Sequence, residues 1–229
     1  MTEKEKILAR IREALTLPAP RPGQEHANEH RAMAAANGSG SVSRWLPAVG
    51  PAFEDRLALF RKNAVDLKAE FHLAESLEDA CRILLGIREA ESWSKVGTHG
   101  GALCDPIREA LGLPVCLTDR AYEVSDLESC DAGISECDAL VAQTGSVLIT
   151  NRSAGGRALS VLPPHHVVLA RKDQLIRDLP DAFTLLKRTY AGNFPSFMSL
   201  ITGPSRTGDI ERILVLGAHG PKKLTIVCW

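Results

Sequence analysis

The segment Thr202-Gly203-Pro204-Ser205-Arg206-Thr207-Gly208-Asp209-Ile210-Glu211 carries the residue types of an anion site. A Gly-Pro turn ends an apolar run, and Ser205, Arg206 and Thr207 then read as leading into a helix over 209–216. Hydroxyls and backbone N–H groups at a helix start attract negative charge, and an arginine adds a two-pronged clamp for carboxylate or phosphate. Helix capping by Ser205 or Thr207 accounts for the hydroxyls equally well, but not for Arg206 between them. Gln143-Thr144-Gly145-Ser146 is a second polar turn, between two apolar runs. Gly145 would let backbone approach a ligand there, although ordinary turn chemistry selects the same residues. Arg157, after Gly155-Gly156, is a second clamp of the same kind.

Other chemistry is weaker in outline. Thr98-His99-Gly100-Gly101 follows a β-run in the manner of a phosphate-cradling turn, but without the G-x-G-x-x-G spacing or a Walker pattern. Glu136, with Asp138 close by, is the acidic group best placed in sequence to act as a base. His99, His165, His166 and His219 lie in or beside these turns, and the glycines around His219 expose it best. On a strand His165 and His166 would face opposite sides, so they are not expected to share a metal. The six cysteines show no C-x2-C pair, the chelating unit of common zinc and iron–sulfur sites. They read as reduced, mostly buried thiols, and no metal or cofactor is expected within the chain.

These residues must be held by elements that the pattern outlines. A helix is expected from Phe53 to about Asp66, a strand over 68–73, and a helix over 77–90 with Ser76 as its cap. Strands over 95–98 and 113–118 flank a short helix ending at Gly112. This βαβαβ order predicts an open, mostly parallel, Rossmann-like α/β sheet with flanking helices. Strands are expected over 138–142, 146–150, 158–162, 166–170, 199–202 and 224–229, and a helix capped by Asp173 that runs to about Tyr190. Ahead of this domain (52–229) lie an amphipathic helix (1–17) and a Pro-, Gly- and Ser-rich stretch (18–51) read as a flexible linker. That arm would pack back on the domain or grip a partner.

Hydrophobic residues make up 45% of the 229 and charged residues 24%, with a formal net charge of −1. A nucleic-acid binder normally carries a basic excess or cluster, and neither is present. Apolar runs of signal-peptide or membrane-spanning length are also missing, so a soluble, cytoplasmic chain without membrane insertion is expected.

Three blocks in register resemble one known family. They are 139–149 around Gln143-Thr144-Gly145-Ser146, the run from Arg157 through Pro163-Pro164-His165-His166, and 202–211 through His219-Gly220-Pro221. The family is that of lactate utilization protein C, with its LUD domain, and the likeness covers roughly 53–229. The resemblance implies an open α/β fold similar to the sugar-phosphate isomerase and CoA-transferase (NagB/RpiA-like) group. It also implies an accessory part in oxidising L-lactate to pyruvate beside two iron–sulfur partner proteins; a small anionic ligand is the further partner that the polar turns and arginines themselves suggest. Ser146 stands where the family commonly has Thr, and the loop 151–156 carries Ser153-Ala154 rather than further glycine or proline. Two other readings stand beside this one: an independent phosphosugar isomerase or CoA-transferase-like enzyme, and a scaffold using residues 1–50.

Overall fold

A computed structural model describes residues 46–207, 215–217 and 219–229. The expected N-terminal helix and most of the expected linker therefore lie outside the described residues. Helix α1 (Phe53–Asp66) places Phe53, Leu57, Phe60 and Ala64 on one apolar stripe and buries it. Strand β1 (Glu70–Leu73) follows, then α2 (Leu77–Glu91), whose cap Ser76 accepts the Asp79 N–H at 3.3 Å. Next come β2 (Val96–Thr98), α3 (Cys104–Leu111), β3 (Val115–Leu117), α4 (Val124–Glu128) and β4 (Ala132–Glu136). Gly112 ends α3 in the left-handed conformation, φ 58°, as its position predicts.

Strands β7 (His165–Ala170) and β12 (Lys223–Cys228) complete a six-stranded sheet in the order β1-β12-β7-β4-β2-β3. All its pairings are parallel, which bears out the expected open α/β architecture. A second, mixed sheet was not foreseen. It contains β8 (Leu175–Ile176), β5 (Ala139–Val141), β6 (Ser146–Thr150) and β9 (Met198–Ile201), in that order.

The two sheets stack. Leu84 of α2 and Ile107 of α3 pack with Ile134, Val167 and Val227 on one face of the parallel sheet. On its other face, Val168, Ile226 and Leu224 meet Phe60 of α1 and Leu140, Val147 and Ile149 of the second sheet. The alternate residues Ala139, Val141 and Leu148 face Ala182 and Leu186 of helix α5 (Leu179–Thr189). The result is an α–β–β–α stack in which β6 and β7 are buried throughout. Each fully buried aliphatic or aromatic side chain contributes roughly 1.5–3 kcal/mol.

Three expected elements are corrected. Residues 158–160 form a 3-10 turn rather than a strand, because this segment packs on β4 instead of joining it. A Cβ at Gly133 would lie 2.5 Å from the Leu159 carbonyl oxygen, so glycine is what permits the approach. The helix expected from Asp173 begins only at Leu179. Leu175 and Ile176 pair in parallel with β5, and Asp178 rather than Asp173 is the cap, accepting the Asp181 N–H at 2.9 Å. The helix expected over 209–216 lies mostly outside the described residues. At its end, Val215–Leu216 is instead strand β11, antiparallel to β10 (Arg206–Thr207).

Candidate functional site

Most of the sequence-predicted residues fall in three places. At the carboxyl end of β2, the turn His99-Gly100-Gly101 runs into α3. This is the edge at which open α/β sheets customarily hold ligands. Here the protein fills it with its own carboxylate: Glu136 Oε1, from the end of β4, accepts the N–H groups of Leu103 (2.7 Å) and Cys104 (3.2 Å). A negative charge at a helix start is favourable, so Glu136 takes the position an anion would occupy. A Cβ at Gly101 would fall 2.1 Å from that oxygen, which is the reason for glycine there. Asp119 likewise accepts the Gly100 N–H at 3.1 Å. His99 is satisfied within the same turn. Its Nε2 accepts the Glu136 N–H at 3.3 Å, leaving Nδ1 to donate to Gly100 O at 2.8 Å. Asp138, beyond Glu136, is held by Ser153 Oγ and Tyr190 Oη at 2.5 Å each.

The turn Gln143-Thr144-Gly145-Ser146 serves packing. Gly145 has φ +65°, and a Cβ there would meet Asn63 Cβ at 2.8 Å and the Ala64 nitrogen at 2.9 Å of α1. Asn63 Nδ2 donates to the carbonyls of Ala142 and Gln143, at 2.9 and 3.0 Å, which pins the helix to the turn. Ser146 Oγ bonds Thr144 Oγ1 and Thr202 Oγ1, both at 2.8 Å. Thr144, Gly145 and Ser146 do not line the cleft described next.

That cleft, of about 450 Å³, opens at the amino ends of β7 and β12, between the two sheets. It brings together Arg157, His166, Gly203, Ser205, Arg206 and His219, six residues that the sequence singled out from three separate segments. Arg157 is exposed, with its guanidinium 5.6 Å from the centre of the Phe197 ring. Gly203, φ +85°, turns the chain so tightly that a Cβ would meet Leu67 O at 2.6 Å and Arg206 Nη2 at 3.2 Å. Ser205 does not cap a helix. Its N–H donates to Pro221 O and its carbonyl accepts the Gly217 N–H, both at 2.9 Å, so it joins two loops. Thr207 lies on β10. Among the described residues, an anion site here rests on side chains and loop geometry.

The two adjacent histidines do face opposite ways. His165 is enclosed on the α2 side, with Nδ1 2.8 Å from Glu91 Oε2 and Nε2 2.8 Å from Thr225 Oγ1, and it stacks edge-on against Trp93. His166 lies 1% exposed in the wall of the cleft. Its Nε2 is 2.8 Å from Ser135 Oγ, and its Nδ1 has no hydrogen-bond partner among the described residues. Burial, with His165 adding repulsion, holds its pKa down to about 3, so the ring is neutral. Sequence reasoning missed Ser135, Phe197 and Ser160. A hydroxyl directly after the apolar Ala132-Gly133-Ile134 of β4 was the one signal that marked Ser135. The buried thiols are poor thiolates: burial pushes Cys104 up to about 12 and Cys228 to about 11.

Comparison with known proteins places the chain in a family. A family model described as the LUD domain matches residues 57–228. A protein named lactate utilization protein C from Shouchella clausii is 33% identical over 106 residues, 46% of each chain. One of the same name from Deinococcus radiodurans is 27% identical over 181 residues, 76% of each chain. The chain thus spans about half the length of the first of these relatives and three quarters of the second. The solved structure of a DUF162 family protein from Deinococcus radiodurans has a similar fold, with a TM-score of 0.58 at 19% identity. It covers 78% of this chain and 99% of that one.

Proposed function

The chain belongs to the LUD-domain family, and from that premise we propose that it serves lactate utilization, as an accessory component in the oxidation of L-lactate to pyruvate. One observation carries the reading: the family match runs through nearly the whole described domain, and the curated relatives bear the name lactate utilization protein C. Electrons from lactate would pass to iron–sulfur centres on partner proteins. The buried, high-pKa thiols of this chain suit packing better than cluster ligation. The independent isomerase or transferase reading loses its base, because Glu136 is committed to the start of α3. Deleting the gene should abolish growth on L-lactate as sole carbon source and leave growth on pyruvate intact, with rescue by the intact gene. Normal growth on L-lactate, in a strain with no second copy, would overturn the proposal.

A further inference from the structure

His166, in the lining of the cleft, carries a buried ring nitrogen, Nδ1, that has no hydrogen-bond partner among the described residues. Ser135 is fully buried, and its hydroxyl oxygen lies 2.8 Å from His166 Nε2. A buried hydroxyl must give its hydrogen to an acceptor, and Nε2 is the acceptor within reach among the described residues. The network therefore assigns Ser135 as donor and Nε2 as acceptor, which leaves the ring proton on Nδ1. Nδ1–H is then a buried donor without an acceptor among the described residues, an arrangement that native interiors rarely keep without a purpose. The remaining lining points the same way. Arg157 and Arg206 supply two cations, and no carboxylate lines the cleft among the described residues. Phe197 and Ile201 add an apolar wall, and the volume falls within the range of small-molecule sites.

We propose that this cleft binds an organic oxyanion, a carboxylate or a phosphate ester, with one ligand oxygen accepting a hydrogen bond from His166 Nδ1 and Arg157 and Arg206 supplying the countercharge. A neutral N–H selects an oxygen acceptor without needing a charge of its own. Each guanidinium can reach two oxygens of either anion with parallel N–H bonds. The wall of Phe197 and Ile201 then takes the organic body. The assignment stands on geometry and does not depend on the lactate reading: binding is read on purified protein, growth on the deletion strain.

Calorimetric titration of the full chain would use L-lactate and pyruvate as the carboxylate arm, and inorganic phosphate and AMP as the phosphate arm. Saturable binding in one arm is expected, and the arm that binds names the anion. Arg206→Gln and Arg157→Gln, both at exposed positions, should each weaken it about tenfold or more without moving the melting temperature, as loss of a charge-assisted bond implies. At the floor, His166→Gln keeps an amide near Nε2 and removes the group at Nδ1, so binding should be lost. His166→Asn places an amide N–H near Nδ1 and should restore much of it. No saturable binding in either arm, or binding that survives both arginine substitutions unchanged, would overturn the proposal. So would His166→Gln and His166→Asn variants that melt lower yet bind as the parent does.

Discussion

Glu91 closes α2 at the end where the helix dipole disfavours a carboxylate, and three donors hold it there. Lys223 Nζ reaches it at 2.6 Å, His165 Nδ1 lies at 2.8 Å and Trp93 Nε1 at 3.1 Å. Burial alone would raise its pKa, but the bonds from Lys223, His165 and Trp93 outweigh that and leave it below the ordinary 4.5. A carboxyl depressed on folding stabilises above its unfolded value, and the gain is lost as pH falls through the folded one. His166, at about 3 against an ordinary 6.5, behaves alike for a different reason: the unfolded chain takes up the proton first. Its contribution is full above about pH 6.5 and declines as pH falls toward 3. Denaturant titrations across pH should therefore show stability starting to fall below about 6.5 and falling more steeply below 4.5. His166→Asn should flatten the upper part of that window. Glu91→Gln should cost roughly 1–3 kcal/mol at neutral pH and progressively less as pH falls below 4.5 through the depressed folded value. The opposed faces of His165 and His166 were legible from the two-residue period of a strand. Their partners were not, because Glu91, Ser135 and Thr225 lie 31 to 74 positions away.

At the scale of elements, two aspartates five positions apart are similar candidates for a helix cap until the sheet decides between them. Asp173 lies in a short turn, where its exposed side chain pairs with Arg171. Asp178 is the cap, because Leu175 and Ile176 are drawn into the second sheet. Asp178→Ala should lower stability by about 1 kcal/mol, whereas Asp173→Ala should stay within about 0.5 kcal/mol. Equal melting temperatures for the two variants would contradict this assignment. The helices α1, α2 and α3 were legible because their apolar spacing and their stop signals agree. Strand β8, of two residues, carries too little periodicity to outweigh the helical pattern on either side of it. The turn over 158–160 misled for a related reason: apolar residues serve a packed turn as well as a strand.

Across the whole molecule, the six thiols are dispersed through the layers. Cys137 and Cys228 lie in the core between the sheets, Cys104 and the half-buried Cys81 under α2 and α3, and Cys116 and Cys130 beside α4. No three His, Cys, Asp or Glu side chains among the described residues are gathered to hold a metal. Protein purified anaerobically should therefore lack stoichiometric iron and acid-labile sulfide, and about four irons per chain, the content of a cubane cluster, would refute this. No helix among the described residues is long and apolar enough to cross a membrane. The parallel sheet was legible as a class from βαβαβ order, whereas the second sheet, built from short hairpin strands and distant pairings, was not. One pairing also bears on how the chain is made. Strand β1 has a single neighbour, β12, and Glu70 waits for Thr225, 155 positions later. At roughly 5–20 residues per second, β1 leaves the ribosome some 8–30 s before its partner exists. For that interval Phe71 and Leu73 have no sheet to join, so nascent chains stalled before Lys223 are the ones a holding chaperone should retain.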